Sequence, residues 1–358
     1  MDVNLELAGL LFDLAFLAGE NQRAWGYKRA AKAVLRLDRH ITPLVEANTF
    51  CTIPGIGPTT DRIARELIHD GRSGHVEKAV QDSGAAEQVR AQRLLRRQFL
   101  SRAAVEEILS RPGTPDARRY RGDLQMHSVW SDGAEPLDSI VAACLARGYR
   151  CAGMTDHSYG LAVAGGMSMA QAAEQHAQID ALNREYQGRF RMFKGIEANI
   201  RSDGTIDMEP PELRQFEFVV ASPHSLLRKS IDQTARMVGA VSQPGVAILG
   251  HPTGRRYNTR PGVSADWNQV FDVAAARSVA IEIDGSWERQ DVHYELAAQA
   301  LAKGCIFALD SDAHANAELA FADIAIAHAR LAGIPPDRII NYWPEKKLAA
   351  WMERTHQS

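Results

Sequence analysis

Apolar residues recur every three to four positions through the opening stretch MDVNLELAGLLFDLAFLAGEN, which predicts an amphipathic helix. The same period runs through AWGYKRAAKAVLRLDRH and VRAQRLLRRQFLSR, so the early part of the chain reads as helical throughout. It stops at SRPGTPDARRY, where two prolines and a glycine end the periodicity and mark a boundary near residues 112–121. Beyond that point short apolar runs alternate with helical patterns: GDLQM, CAGMT, RMFKGIE, EFVVAS, GVAILG, SVAIEID and CIFALD. Such alternation is the signature of a mostly parallel β/α architecture, and seven runs predict a barrel or near-barrel. At 358 residues the chain exceeds one ordinary core and suits a small domain joined to a barrel-sized one. The pattern places an all-α domain at 1–95, a helical, proline-containing connector at 96–121 and an α/β domain at 122–358. No internal repeat points to a solenoid.

Composition narrows the function classes. With 45% hydrophobic and 24% charged residues and no apolar run of spanning length, the chain reads as globular, neither disordered nor membrane-embedded. Its first residues carry acids where a secretory signal carries basic residues, so the opening helix is expected to stay in the mature protein. Cys51, Cys144, Cys151 and Cys305 form no CxxC pair or disulfide-like framework, which favours a reducing cytoplasm. The net charge of -3 conceals an asymmetry: residues 1–121 hold 19 Lys+Arg against 15 Asp+Glu, and the remainder 22 against 29. The basic excess is early and sits on helical segments, where it would attract a polyanion.

TIPGIGPTTDRIARELI adds to that reading. Gly55 and Gly57 form a tight turn before a helix whose first N–H groups are free to meet an anion. The stretch resembles the helix-hairpin-helix motif. With NQRAWGYKRAAKAVLRL before it and HDGRSGHVEKAV after it, it is similar to the amino-terminal domain of family X DNA polymerases. The resemblance implies DNA binding through Gly55, Gly57, Lys28, Arg29 and Lys32, although Pro58 stands where those proteins often place a lysine.

In the second domain nearly every candidate strand ends in a potential metal ligand. His127 and Asp132 follow the first, Asp156 and His157 the second, Glu197 the third, His224 the fourth, His251 the fifth, and Asp312 and His314 the seventh. The carboxyl ends of barrel strands converge on one face, so residues far apart in sequence can meet in one cleft. Residues i and i+2 of a strand share a face, which pairs Gln125 with His127 and Asp312 with His314. His40, His69, His75, His176, His293, His328 and His356 lack such placement and read as ordinary core or surface residues.

GDLQMHSVWSDG, MTDHS, GIEANI, ASPHS, LGHPTGR and DSDAH, in this order, resemble the polymerase and histidinol phosphatase (PHP) superfamily, in the form found at the carboxyl end of bacterial family X polymerases. The resemblance implies a distorted (β/α)7 barrel, up to three divalent ions (zinc, manganese or iron) and hydrolysis of phosphoester bonds. It assigns His127 and Asp312 to one ion, His224 and His251 to a second, and Asp132, His157 and His314 to a third, with Glu197 bridging the first two. Metal-activated water then attacks phosphorus in line, Glu197 and Asp312 framing the reaction and Arg255 orienting a phosphate oxygen. Gln125 occupies a position where the family places histidine, so the first site loses an imidazole and is expected to be weakened. Nothing between the two domains resembles a polymerase palm with paired aspartates, which argues against DNA synthesis. Three functions remain: a metal-dependent phosphoesterase acting on DNA, as a 3′-5′ exonuclease or at 3′ ends in repair; a small-molecule phosphatase of the histidinol-phosphate type; and a non-catalytic DNA-binding protein with a degenerate barrel.

Overall fold

The computed structural model describes residues 2–356 and divides the chain into two compact units, one running to Arg111 together with Tyr257–Arg260, the other formed by Pro112–Arg256 and the chain from Pro261 onward. Among the described residues no helix is long and apolar enough to cross a membrane, and all four cysteines are free thiols.

The first unit is all helical. Its helices are α1 (Val3–Ala18), α2 (Gln22–Arg36), α3 (Thr42–Glu46), α4 (Pro58–Asp70), α5 (Gly74–Ser83), α6 (Ala86–Leu94) and α7 (Arg102–Ser110). The opening helix is apolar on more than one side because it lies at the centre, packed against α2, α4, α5 and α6, with Leu7, Leu11 and Phe12 buried. Asp2 caps it by accepting from the Leu5 N–H. The unit extends past the boundary at residue 95 that periodicity predicts, because polar ties hold the following segment in place. Asp2 also accepts from the Ser101 N–H and hydroxyl, and Arg96 donates to the buried Asp13 carboxylate at 2.6 Å. The glycine turn lies between α3 and α4. Gly55 has φ +92, a conformation that favours glycine, whereas Gly57 is extended and serves as the N-cap of α4.

The second unit is built on a six-stranded, wholly parallel sheet in sequence order: β1 (Cys151–Met154), β2 (Arg191–Asn199), β3 (Phe218–Ser222), β4 (Val246–Leu249), β5 (Ala280–Asp284) and β6 (Ile306–Asp310). Helices connect the strands, so both faces are covered and the strands are almost continuously buried, as parallel strands must be. Phe218 fills the interior between Gly153 and Gly195, and a Cβ on either glycine would come within 2.5 Å of its ring. The core continues through Phe193, Val220 and Ile248 to Trp351.

The first expected strand, GDLQM, is not a regular strand. It bonds on both sides, with Gly153 N–H donating to the Asp123 carbonyl, Thr155 N–H to Met126 and His127 N–H to Ala313, and Met126 bridges Ala313 in parallel. Side chains interrupt its ladder, however. Leu124 N–H donates to Asp310, Gln125 N–H to Asp123 and Met126 N–H to the Thr155 hydroxyl. Buried side-chain oxygens thus take the donors that a regular strand would give to carbonyls. The result is a distorted α/β barrel whose first segment is irregular.

The Asp13–Arg96 pair provides a test of the helical unit. Both side chains are buried, so Asp13→Ala would strand the Arg96 guanidinium. A loss of about 3 kcal/mol is expected in chemical denaturation of the full chain. A loss below about 1 kcal/mol would show that the pair is dispensable.

Candidate metal centre

Glu197, near the end of β2, is buried and lies at the centre of the cluster. Its Oε1 is 2.9 Å from His251 Nε2, 3.6 Å from His224 Nε2 and 3.0 Å from the Gln125 amide nitrogen. Its Oε2 is 2.9 Å from His157 Nδ1 and 3.5 Å from His127 Nε2. Five residues from four different segments therefore converge on one carboxylate. Burial works against its ionisation, but the neighbouring His157, His224 and His251 rings hold its pKa well below the usual carboxylate range.

The remaining ligand candidates flank this centre. His127 Nε2 is 3.3 Å from Asp312 Oδ1, and its ring stacks at 4.3 Å on both His157 and His314. Asp132 Oδ1 lies 3.5 Å from His157 Nε2 and 3.4 Å from His314 Nε2. Three groups bring their donor atoms close enough to hold an ion: His127 with Asp132, His157 and His314; His157 with Glu197 and His224; and His127 with Glu197 and Asp312. The structure thus gathers every sequence-predicted ligand, with two differences from the expected partition. His127 joins the group of Asp132, and His157 rather than His251 completes the group of His224.

The chemistry of these donors suits a cation. His127 Nε2, His224 Nε2 and Glu197 Oε2 are buried without a hydrogen-bond partner, whereas buried polar atoms ordinarily have one. Burial lowers the pKa of His127, and it pushes that of His224 down to about 3, so both imidazoles present lone pairs. At His314 burial opposes protonation, but the Asp132 hydrogen bond and the Asp312 and Asp132 charges raise its pKa to about 10. Mixed nitrogen and oxygen donors of this kind fit zinc, manganese or iron better than calcium.

Surrounding groups orient the ligands. His224 Nδ1 is 2.5 Å from the Asn199 side-chain oxygen, which turns Nε2 toward Glu197. His314 Nδ1 donates to the Asp312 carbonyl, and the His251 N–H to Glu282 at 2.5 Å. His251 and Asp312 have positive φ values, 23° and 53°, a strain that persists only where surroundings over-determine it. Asp156, placed by the sequence beside the ligands, instead anchors the loop after the first segment, accepting from Ser128, Ser131 and Gln175.

Two arginines exchange the importance that the sequence suggested. Arg255 is buried, and its Nε donates to the Arg289 carbonyl; burial lowers its pKa to about 10. Arg289 is the guanidinium next to the ligands, 3.3 Å from Asp312 Oδ2 and 3.6 Å from Asp284 Oδ2. Sequence reading missed it because WERQD matches no strand-end pattern. The acidic SVAIEID strand before it was the available signal.

No family model matches the chain. It is 33% identical over 237 residues to the DNA polymerase/3′-5′ exonuclease PolX of Bacillus subtilis, a match that covers 66% of this chain and 41% of that protein. It is 28% identical over 238 residues to a probable phosphatase of Syntrophotalea carbinolica, covering 63% of this chain and 93% of that one. These relatives fit the PHP superfamily that the sequence motifs resemble. The chain spans about two fifths of the length of the Bacillus relative. A crystal structure of histidinol phosphate phosphatase from Lactococcus lactis, complexed with zinc, L-histidinol and phosphate, is similar with a TM-score of 0.45 and 17% identity, over 59% of this chain and 94% of that one.

Two substitutions test the centre. Asn199→Ala frees the His224 ring to rotate, and metal affinity is expected to fall about 10-fold or more in competition titrations with a chromogenic chelator. Unchanged affinity would show that His224 is held by packing alone. Gln125→His puts a second imidazole beside His127, so bound metal per chain should rise on elemental analysis, and His127→Ala in the same background should cancel the rise. If neither metal content nor hydrolysis changes, the amide is already a competent ligand or has no part in the site.

Proposed function

We propose that this chain is a metal-dependent phosphoesterase whose substrate is a phosphodiester or 3′-terminal phosphate of DNA. The observation that carries the hydrolytic part is the convergence of His127, Asp132, His157, Glu197, His224, His251, Asp312 and His314 on one cluster, buried around Glu197 and opening at Asp132 and His314, with unsatisfied donor atoms. Divalent ions bound there supply a lowered water pKa and neutralise charge developing on phosphorus. The chain's own residues do the rest. Glu197 offers one oxygen to each side of the cluster, Asn199 fixes the His224 ring, and Arg289 holds Asp312 in place while presenting a cation to an incoming phosphate. Arg255 acts through Arg289, as a positioning residue.

The choice of DNA rests on the helical unit. Lys28, Arg29 and Lys32 lie exposed on α2, and Gly55 of the glycine turn sits against the Arg29 side chain, at about the distance of van der Waals contact. Together they make the phosphate grip that the helix-hairpin-helix resemblance implies. The similarity to PolX supports the same reading.

A second reading has its own observation. The probable phosphatases match over nearly their whole length, which favours a small phosphate monoester of the histidinol-phosphate type. Salt separates the two. Turnover of a single-stranded oligonucleotide at sub-saturating concentration should fall steeply between 50 and 200 mM salt, on the order of 10-fold or more, whereas hydrolysis of histidinol phosphate should change little. Histidinol phosphate turned over in preference to every DNA end would overturn the DNA assignment and leave the hydrolytic one standing.

A further inference from the structure

The exposed face of α2 carries a residue that a merely solvated basic helix does not call for. Trp25 is 72% exposed. Lys28, Arg29, Lys32 and Arg36 follow at +3, +4, +7 and +11, so the indole and the cations share one helical face. The helix holds five cations, Arg23 included, and no acidic residue. Trp25, Gly26, Lys28, Arg29, Lys32 and Arg36 line a groove of about 750 Å³. Lys28 Nζ lies 5.7 Å from the indole centroid, and a Cβ built on Gly26 would meet nothing within 4 Å, so this flank of the helix is open. By contrast, Trp343 and Trp351 of the barrel unit are buried.

Cations alone suit any polyanion. An indole held in water among them is unfavourable unless something flat and apolar covers it. A duplex presents phosphates but keeps its base faces stacked inside, whereas a single strand presents both. We propose that this face of α2 binds single-stranded nucleic acid, with an unstacked base on Trp25 and successive phosphates on Lys28, Arg29 and Lys32. The stretch from Trp25 to Arg36 runs about 16 Å along the helix axis, enough for a short run of nucleotides. The inference rests on the phosphoesterase reading only in that the strand so held would be the substrate.

The test uses the full chain and a short fluorescein-labelled oligothymidylate, with a duplex of equal length as competitor. Binding is measured by anisotropy in EDTA, so that no hydrolysis intervenes. Trp25→Ala is expected to weaken single-strand binding about 10-fold, and Trp25→Phe to keep most of it. The Trp25→Ala salt slope should match that of the parent, whereas Lys28→Gln, Arg29→Gln and Lys32→Gln combined should reduce the slope of log affinity against log salt by about 2. Thermal midpoints of all variants should stay with the parent, because these side chains are on the surface. Equal binding by Trp25→Ala and parent, or duplex bound as tightly as single strand, overturns the proposal. Hydrolysis of bis(p-nitrophenyl) phosphate by the metal-loaded protein is read separately. Its absence, alongside a Trp25 effect on binding, would defeat the phosphoesterase reading and leave this one intact.

Discussion

An ionised carboxylate buried among imidazoles is the interaction on which the barrel's chemistry depends. Removing the Glu197 carboxylate from water costs several kcal/mol, and only opposing charge close to it offsets that cost. The imidazoles cannot all supply that charge. Burial lowers the pKa of His127 and His224, which favours neutral rings, and only His157 and His314 have raised values. Buried donors without partners carry a desolvation cost that a cation bound among them would remove, and this requirement links the candidate ligands to the fold. Every one of them must come from a strand end or the loop after it, because that is where a parallel barrel can bring distant residues within a few ångströms.

The same requirement explains what could be read from the sequence. Ligands at strand ends follow a simple rule, so His127, His157, Glu197, His224, His251, Asp312 and His314 were legible as soon as the apolar runs were found. The irregular first segment was not. GDLQM has the composition of a strand, and only the three-dimensional arrangement shows Asp310, Asp123 and Thr155 taking its backbone donors. Asn199 and Arg289 were illegible for a different reason. Each acts on a ligand through a side-chain contact, His224 in one case and Asp312 in the other, and periodicity carries no information about such contacts. Asp156 shows the converse error, since a carboxylate beside a ligand histidine can serve loop anchoring alone.

In the helical unit, local pattern was informative about helices and silent about extent. The connector expected after residue 95 reads as helical and proline-containing, ending where SRPGTPDARRY breaks the periodicity. Its first part is held by polar ties, Arg96 to Asp13 and Ser101 to Asp2, which pair residues some eighty to a hundred positions apart. Charge partition, in contrast, survived folding unchanged. The cations of α2 stay on the solvent face because the opposite face, Ala24, Ala30, Ala31 and Val34, is needed for packing. A helix committed to the core on one side and bare of acids on the other has its polyanion-facing side decided by the hydrophobic effect before any ligand arrives.

Gln125 brings both levels together. Histidine at this position can give a metal only a lone pair, because its one remaining N–H points away. Glutamine has two functions on one amide, and here the nitrogen is 3.0 Å from Glu197 Oε1 while the oxygen is buried without a partner. With the amide so placed, Glu197 Oε1 is held by Gln125 and His251, and Oε2 faces His127 and His157. His127 Nε2, Glu197 Oε2 and Asp312 Oδ1 would still be available to a cation, and the Gln125 amide oxygen would join them only if the amide turned over. Turning it over exchanges one hydrogen bond, worth about 1 kcal/mol, for a neutral oxygen ligand weaker than imidazole. Relative to histidine, glutamine here would lower the affinity of one position within the cluster without dismantling it. Glu197 Oε1 keeps its contacts with Gln125 and His251 in this arrangement, so the amide is accommodated in the buried centre of the barrel.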